Sequence, residues 1–309
     1  DTAEHYGDGI GETTLGKALK QLNVPREKIV VATKMLTIGK DPNDKFLSRK
    51  HIIEGIKNSL KRLQLEYVDI IYCHRYDMYT PMEEVCRAMN WCINKGYALY
   101  WGTSEFTSCQ IVEAMNICEK FKLIKPVVEQ CQYNMIERYN IENDYRDLFK
   151  RYKYGATTYS PLYGGVLTGK YIDSTPEDSR GNIKNDHARK KFLSSKYFKN
   201  KTEYDKKFKE LKNIAENKLS CNLGQLALAW IIANPDINSC ILGSSKVSQI
   251  EDNVKSIEIM KKLEKDKSIL IEIEKILKNV PKGEIDCTAW KELPSRRNIA
   301  MGIDYVPEN

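Results

Sequence analysis

Six short runs rich in β-branched and apolar residues recur along the chain, at 29–33, 68–73, 98–103, 127–133, 156–162 and 239–243, and stretches with helical period lie between them. This alternation is the tightest constraint on the fold, because strands separated by a crossover helix must pair in parallel. Most of the runs are apolar on both parities, as expected where helices cover one face of a sheet and other strands fill the opposite side. Ser48 opens a segment in which Ile52, Ile53, Ile56, Leu60 and Leu63 form one apolar face, the spacing of an amphipathic helix. Thr80-Pro81-Met82-Glu83 reads as a second helix start, with a cap, a proline in the first turn and an acidic residue behind it, and Gly96 follows its end. Residues 108–122, 141–154 and 201–218 read as further helices, and 222–234, around Leu226, Ala227, Leu228, Ala229 and Trp230, as a buried one. The polar stretch 164–200 is too long for a simple connection and is expected to be a lid or a disordered insertion. A charged helix is expected at 266–278, then an irregular tail, which divides the chain into a barrel at 1–260 and a C-terminal region at 261–309.

A doubly wound sheet and a barrel both satisfy this alternation. No G-x-G-x-x-G follows an early strand, whereas residues capable of chemistry stand where several different strands end, which selects an α/β fold of the (β/α)8 TIM-barrel type. At 309 residues the chain is of the size that such barrels reach as one domain. No apolar run approaches the roughly 20 residues of a membrane span, and no basic flank or apolar leader opens the sequence, so no membrane insertion and a cytoplasmic location are expected. The net charge of +7 is spread along the chain rather than gathered in one basic block, which argues against nucleic acid as a partner. Nine cysteines show no C-x-x-C pair, so no metal site is expected and the thiols read as reduced and mostly buried. Cys73 alone adjoins a candidate catalytic residue, where core packing competes with redox sensitivity.

Four polar residues stand at strand ends: Asp1 and Tyr6 at the start, Lys34 after Ile-Val-Val-Ala-Thr, and His74 after Asp-Ile-Ile-Tyr-Cys. Alone, each has an ordinary structural explanation. Together they make a chemically sensible set, since a tyrosine becomes a usable acid when a lysine cation lowers its pKa and a carboxylate holds that lysine charged.

Asp1-Thr-Ala-Glu-His-Tyr6, Ala32-Thr-Lys34 and His74-Arg-Tyr-Asp77 resemble the catalytic motifs of the aldo-keto reductase superfamily. Ser48-Arg-Lys-His-Ile-Ile-Glu-Gly, Leu63-Gln-Leu-Glu-Tyr-Val-Asp69, Thr80-Pro-Met-Glu-Glu84 and Tyr100-Trp-Gly-Thr-Ser104 resemble its voltage-gated potassium channel β-subunit branch and related bacterial reductases, over about residues 1–260. The resemblance implies an NADPH-dependent enzyme that reduces small aldehydes or ketones, with Tyr6 the proton donor, Lys34 tuning it, Asp1 pairing with Lys34 and His74 orienting the carbonyl. Channel β subunits carry asparagine at the position matching His74, so the histidine favours a working reductase. The alternative is an NADP(H)-binding regulatory subunit of a membrane channel with little turnover. That branch forms tetramers, which makes a homo-oligomer an expectation by resemblance.

The cofactor NADP(H) follows from both chemistry and resemblance. Ser104 and Gln130 end their strands with a hydroxyl and an amide suited to a carboxamide, and the family places the nicotinamide amide there. Tyr159, in Thr158-Tyr-Ser160-Pro161-Leu162, matches the ring that stacks on the nicotinamide, while Ser160, Leu162, Gly164, Lys170 and Arg180 match the family's cofactor clamp, the two cations toward the pyrophosphate. Gly243 and Ser245 lead into a helical segment whose free N–H groups suit phosphate, and Ser245 and Lys246 supply a hydroxyl and a cation for a 2′-phosphate. Gln249, Asp252 and Asn253 resemble the ribose and adenine contacts. Glu105 departs from the pattern, since the channel branch favours a basic residue there. Because Asp1 falls where the family's second strand ends, the sequence is also expected to lack the first strand–helix unit and most of strand 2 of the full barrel.

Overall fold

The computed structural model describes residues 1–282 and 301, and the chain forms two compact units whose boundary lies between Gln130 and Cys131. In the first, α1 (Ile10–Gln21), β1 (Ala32–Met35), α2 (Arg49–Leu63), β2 (Val68–Cys73), α3 (Met82–Asn94), β3 (Ala98–Ser104) and α4 (Ser108–Phe121) alternate, and β4 (Val128–Gln132) carries the chain over the boundary. The second contains β5 (Gly155–Tyr159), α5 (Asp186–Leu193), α6 (Lys196–Lys199), α7 (Lys201–Ile214), α8 (Leu223–Ile232), β6 (Ser239–Cys240), α9 (Val247–Val254), α10 (Ser256–Lys265) and α11 (Lys267–Leu277). Strand order follows chain order within each unit, β1-β2-β3-β4 in the first and β5-β6 in the second. Pairing is parallel at β1–β2, β2–β3, β3–β4 and β5–β6, as the (β/α)8 architecture requires. Thr2 and Glu4 add to the β1 side: their N–H groups donate to the carbonyls of Ala32 and Lys34 at 2.9 and 3.2 Å, the alternating pattern of a strand end.

Local sequence explains the elements that frame the first unit. Ser48 caps α2 by accepting from His51 N, and Ile52, Ile56, Leu60 and Leu63 bury one face. Each such side chain contributes roughly 1.5–3 kcal/mol on removal from water. Thr107 and Gln110 form a reciprocal capping box on α4, as Asn222 and Gln225 do on α8. The expected cap at Thr80 differs: Pro81 itself occupies the cap position of α3 without a side-chain bond, and the Thr80 hydroxyl turns to Asp77.

The strand register decides what the sheet of this unit can present. Lys34 lies opposite Tyr72, Tyr72 opposite Gly102, Gly102 opposite Val128, and Ser104 opposite Gln130. One face therefore carries Ala32, Lys34, Tyr72, His74, Gly102, Ser104, Val128 and Gln130, while Thr33, Ile71, Cys73, Trp101, Thr103 and Glu129 alternate onto the other. Ala32, Tyr72 and Val128 pack together on the first face beneath the polar residues. Gly102 is required there, since a Cβ would stand 2.5 Å from the Val128 carbonyl oxygen and 2.7 Å from the Tyr72 ring.

Two expectations in the second unit change. Residues 141–154 form two π-helical turns, Asn140–Asp144 and Leu148–Tyr152, instead of one helix. The polar stretch 164–200 is an ordered connection containing a 3-10 turn at Arg180–Asn182 followed by α5 and α6, with Tyr171 and Tyr197 buried at its base. Arg138 is fully buried between Glu142 and Glu274, at 2.8 and 2.7 Å, and Trp230 Nε1 donates to Glu274 at 3.1 Å, which ties α11 to the segment after β4. Such a buried cluster is destabilised strongly by loss of any one member. The tail expected beyond α11 lies outside the described residues, apart from Met301, whose carbonyl accepts from Lys267 Nζ at 2.6 Å.

Candidate functional site

In the first unit the ends of the strands bring all four candidate catalytic residues together. Lys34 is wholly buried, and its Nζ donates to Asp1 Oδ2 at 2.6 Å and to the Thr2 carbonyl at 2.7 Å. The same Nζ stands 5.2 Å from the centroid of the Tyr6 ring, and the His74 ring meets Tyr6 edge-on with centroids 5.8 Å apart. Tyr6 is 41% exposed, so its ring is open to solvent on one side. Gln130 Nε2 donates to the other carboxylate oxygen of Asp1 at 3.1 Å, and Ser104 Oγ donates to the Gln130 carbonyl at 2.8 Å. One carboxylate thus links the lysine to the Ser104 and Gln130 pair.

The electrostatics sort these groups by role. Burial, reinforced by the Arg75 charge and opposed by Glu12, pulls the Lys34 ammonium down to about 7. Burial first, then Lys34, Arg75 and His5, brings His74 down to about 3, which makes it a neutral imidazole, and its buried Nδ1 has no protein partner. The expected lowering of the Tyr6 pKa by Lys34 is not what the structure gives. Burial raises the phenol above its ordinary value, and the cation working against that rise is Arg75. The physical reason is that Lys34 is itself desolvated and its ammonium is committed to Asp1 and Thr2.

In the second unit, the turn after β5 carries a run of left-handed backbone at Ser160, Tyr163, Gly164 and Gly165, held in part by Asn134 Nδ2 donating to the Ser160 carbonyl at 3.1 Å. Pro161 is buried at this turn, and Tyr159 and Leu162 are half-buried beside it. A Cβ at Gly164 would meet Phe192 at 2.7 Å and Arg180 at 3.2 Å, and one at Gly165 would meet Lys170 Cε at 2.7 Å. The structure therefore brings Arg180 against Gly164 and Lys170 against Gly165. Lys246 reaches the same region, pairing with Asp178 at 3.2 Å, and Lys170 also acts on that carboxylate. Gln249 Oε1 accepts from Ser245 N at 2.9 Å, so the loop and the first turn of α9 are braced together. Gly243 is exposed with open space around its Cα. Asp252 is bound to α8 through Asn222 Nδ2 at 2.8 Å and Gln225 Nε2 at 3.0 Å, while Asn253 is half-buried. A glycine turn that a Cβ would fill, with the cations of Lys170 and Arg180 against it, fits a polyanionic cofactor.

Several participants escaped the sequence reading. Arg75 donates to the His74 carbonyl and to Ser104 Oγ at 3.1 Å, and its charge acts on Tyr6, Lys34 and His74 alike. The available signal was a cation directly after a strand-end histidine. His5 lies against both His74 and Tyr6, with centroids at 4.7 and 4.8 Å. Glu12, buried, accepts from Thr33 and Arg62, and so braces β1 between α1 and α2. Cys73 belongs to the core: it is fully buried, and burial pushes its thiol up, the opposite of a reactive thiolate. The eight described cysteines are free. Among the described residues, no helix is long and apolar enough to cross a membrane.

The aldo/keto reductase family model matches residues 1–275. The chain is similar to a protein of Oryza sativa subsp. japonica named probable voltage-gated potassium channel subunit beta, 43% identical over 283 residues that cover 91% of this chain and 84% of that protein. A protein of the same name from Arabidopsis thaliana is 43% identical over 286 residues, with the same coverage of 91% and 84%. The chain belongs to the aldo/keto reductase family.

Proposed function

We propose that this protein reduces small aldehydes or ketones with NADPH, Tyr6 supplying the proton. The observation that carries the reading is the junction of Lys34 with Asp1 at 2.6 Å beside the Tyr6 and His74 rings, a proton-handling set at the ends of adjacent strands. When bound, the nicotinamide supplies the hydride. Tyr6 protonates the carbonyl oxygen as charge develops on it, and the neutral His74 can offer its ring N–H to the same oxygen. Asp1 fixes the Lys34 ammonium, and Arg75 works against the rise of the Tyr6 pKa. Ser104 and Gln130 would hold the carboxamide, Tyr159 would stack on the nicotinamide, and Ser160, Leu162 and Gly164 would clamp the cofactor together with Lys170 and Arg180, the two cations toward the pyrophosphate. Ser245 and Lys246 would take the 2′-phosphate, with Gln249, Asp252 and Asn253 toward the ribose and adenine.

A panel of small carbonyls assayed with NADPH and NADH tests this. Sustained oxidation of NADPH with one or more aldehydes supports it, and cofactor binding without turnover on any carbonyl contradicts it. A second reading, an NADP(H)-binding regulatory subunit, is favoured by the names of the two plant relatives. His74 speaks for the enzyme, because the channel branch has asparagine at the matching position.

A further inference from the structure

We infer that His5 is a positioning residue for the proton-donating tyrosine, an ionisable ring set against both Tyr6 and His74 whose charge state governs how readily Tyr6 releases its proton on the acid side of neutrality. The inference rests on the reading of Tyr6 as the donor. The geometry is specific: the His5 ring meets Tyr6 edge-on at 4.8 Å and lies tilted over His74 at 4.7 Å, so one side chain contacts both the acid and the carbonyl-orienting imidazole. Tyr6 and His74 are themselves 5.8 Å apart, and the three rings form a closed triangle.

The charges around His5 come from three elements. Burial above all, with Lys34 from β1 and Arg75 after β2, opposes the imidazolium, whereas Glu4 and Asp8 on its own segment favour it, with the net result that His5 titrates below its ordinary value. Glu4 is in part engaged elsewhere, since its Oε1 accepts from Leu36 N at 2.6 Å and faces His51 Nε2 at 2.8 Å. At neutral pH His5 is therefore uncharged. As pH falls it becomes a cation in ring contact with Tyr6, and that cation favours the phenolate left behind by proton donation. The Arg75 charge acts on Tyr6 in the same sense, and Lys34, brought down to about 7 and 5.2 Å from the Tyr6 ring, also gains its charge as pH falls, so the part that belongs to His5 is the part that replacing His5 removes. His74, held neutral down to about 3, keeps its own role unchanged over this range.

The test compares the wild type with His5→Gln, a polar residue that does not titrate, at a side chain half open to solvent. The kcat of carbonyl reduction is followed from about pH 5 to about pH 8, together with the Tyr6 ring-carbon resonance of selectively labelled protein. We expect the wild type to gain rate on the acid side and to show a step in the Tyr6 resonance as His5 charges. His5→Gln should lose the part of the acid-side gain and of the resonance step that follows His5, and keep only the part that follows Lys34. An unchanged acid-side profile together with an unchanged resonance step in His5→Gln overturns the inference. The resonance reads His5 and Tyr6 without turnover, so a protein that shows the step yet reduces no carbonyl would count against the reductase reading and leave the coupling of the two rings standing.

Discussion

Replacing Lys34 by methionine separates the catalytic from the structural meaning of the buried ammonium. Methionine keeps most of the stem and removes the charge. The drop of the Lys34 pKa from 10.5 to about 7 implies that the native environment disfavours the charged form by roughly 5 kcal/mol, which the substitution relieves. Against this, Asp1 Oδ2 and the Thr2 carbonyl lose donors at 2.6 and 2.7 Å, at about 1–3 kcal/mol each. Asp1 keeps Gln130 Nε2 at 3.1 Å and is partly open to water, so its loss falls at the low end. The two effects nearly cancel, and Lys34→Met is expected to change unfolding free energy by no more than about 2 kcal/mol in urea titration near neutral pH. Carbonyl reduction by the same sample should fall by about 10² to 10⁴. Retained kcat would remove Lys34 from the proton-handling set, and a stability loss well above about 4 kcal/mol would mark it as a structural residue instead.

Tyr6→Phe should lower kcat by about 10² to 10⁴ while NADPH Kd, from fluorescence titration, stays near wild type; an unchanged kcat refutes the donor role. Lys246→Ala should narrow the preference for NADPH over NADH, through loss of a charge-assisted contact that NADH does not make, and equal Kd values for both cofactors in the wild type would remove the 2′-phosphate from this lysine. Lys34 binds a proton more weakly folded, at about 7, than unfolded, so its contribution makes the protein least stable below about pH 7 and raises stability as pH climbs from there toward 10.5. Urea titrations across that window should show the rise in wild type and lose it in Lys34→Met. Gly102→Ala places a Cβ 2.5 Å from the Val128 carbonyl oxygen and should cost about 1–3 kcal/mol, and a neutral result in thermal or urea unfolding would contradict the β3–β4 register.

The sequence showed where strands end but not which distant groups meet there. β2 was legible to the residue, because Val68–Cys73 is bounded by polar residues and its apolar pattern has no competing period. Lys34 and His74 stood out as candidates because polar side chains at strand ends are unusual on an apolar background, and the structure brings both beside Tyr6. The direction of the Tyr6 pKa was not, since it depends on how deeply the ring is desolvated and on Arg75, whose approach to Ser104 follows from the β2–β3 register. Glu12 was hidden for a similar reason: a carboxylate in an amphipathic helix reads as solvated until Thr33 and Arg62, 21 and 50 residues away, close over it. The stretch 164–200 reads from its length and composition as a lid or a disordered insertion, and Tyr171, Tyr197, Phe192 and Phe198 pack ring against ring within it. Aromatic residues spaced irregularly through a polar segment give no period for a sequence reading to detect.

The most direct measurement is a single turnover: protein saturated with NADPH is mixed with a small aldehyde, and both the loss of reduced-cofactor absorbance and the alcohol formed are followed. The proton-handling set of Tyr6, Lys34 and His74 predicts one alcohol for each NADPH oxidised, at a rate that collapses in Tyr6→Phe. Tight NADPH binding with no oxidation, or oxidation that Tyr6→Phe leaves untouched, would contradict it.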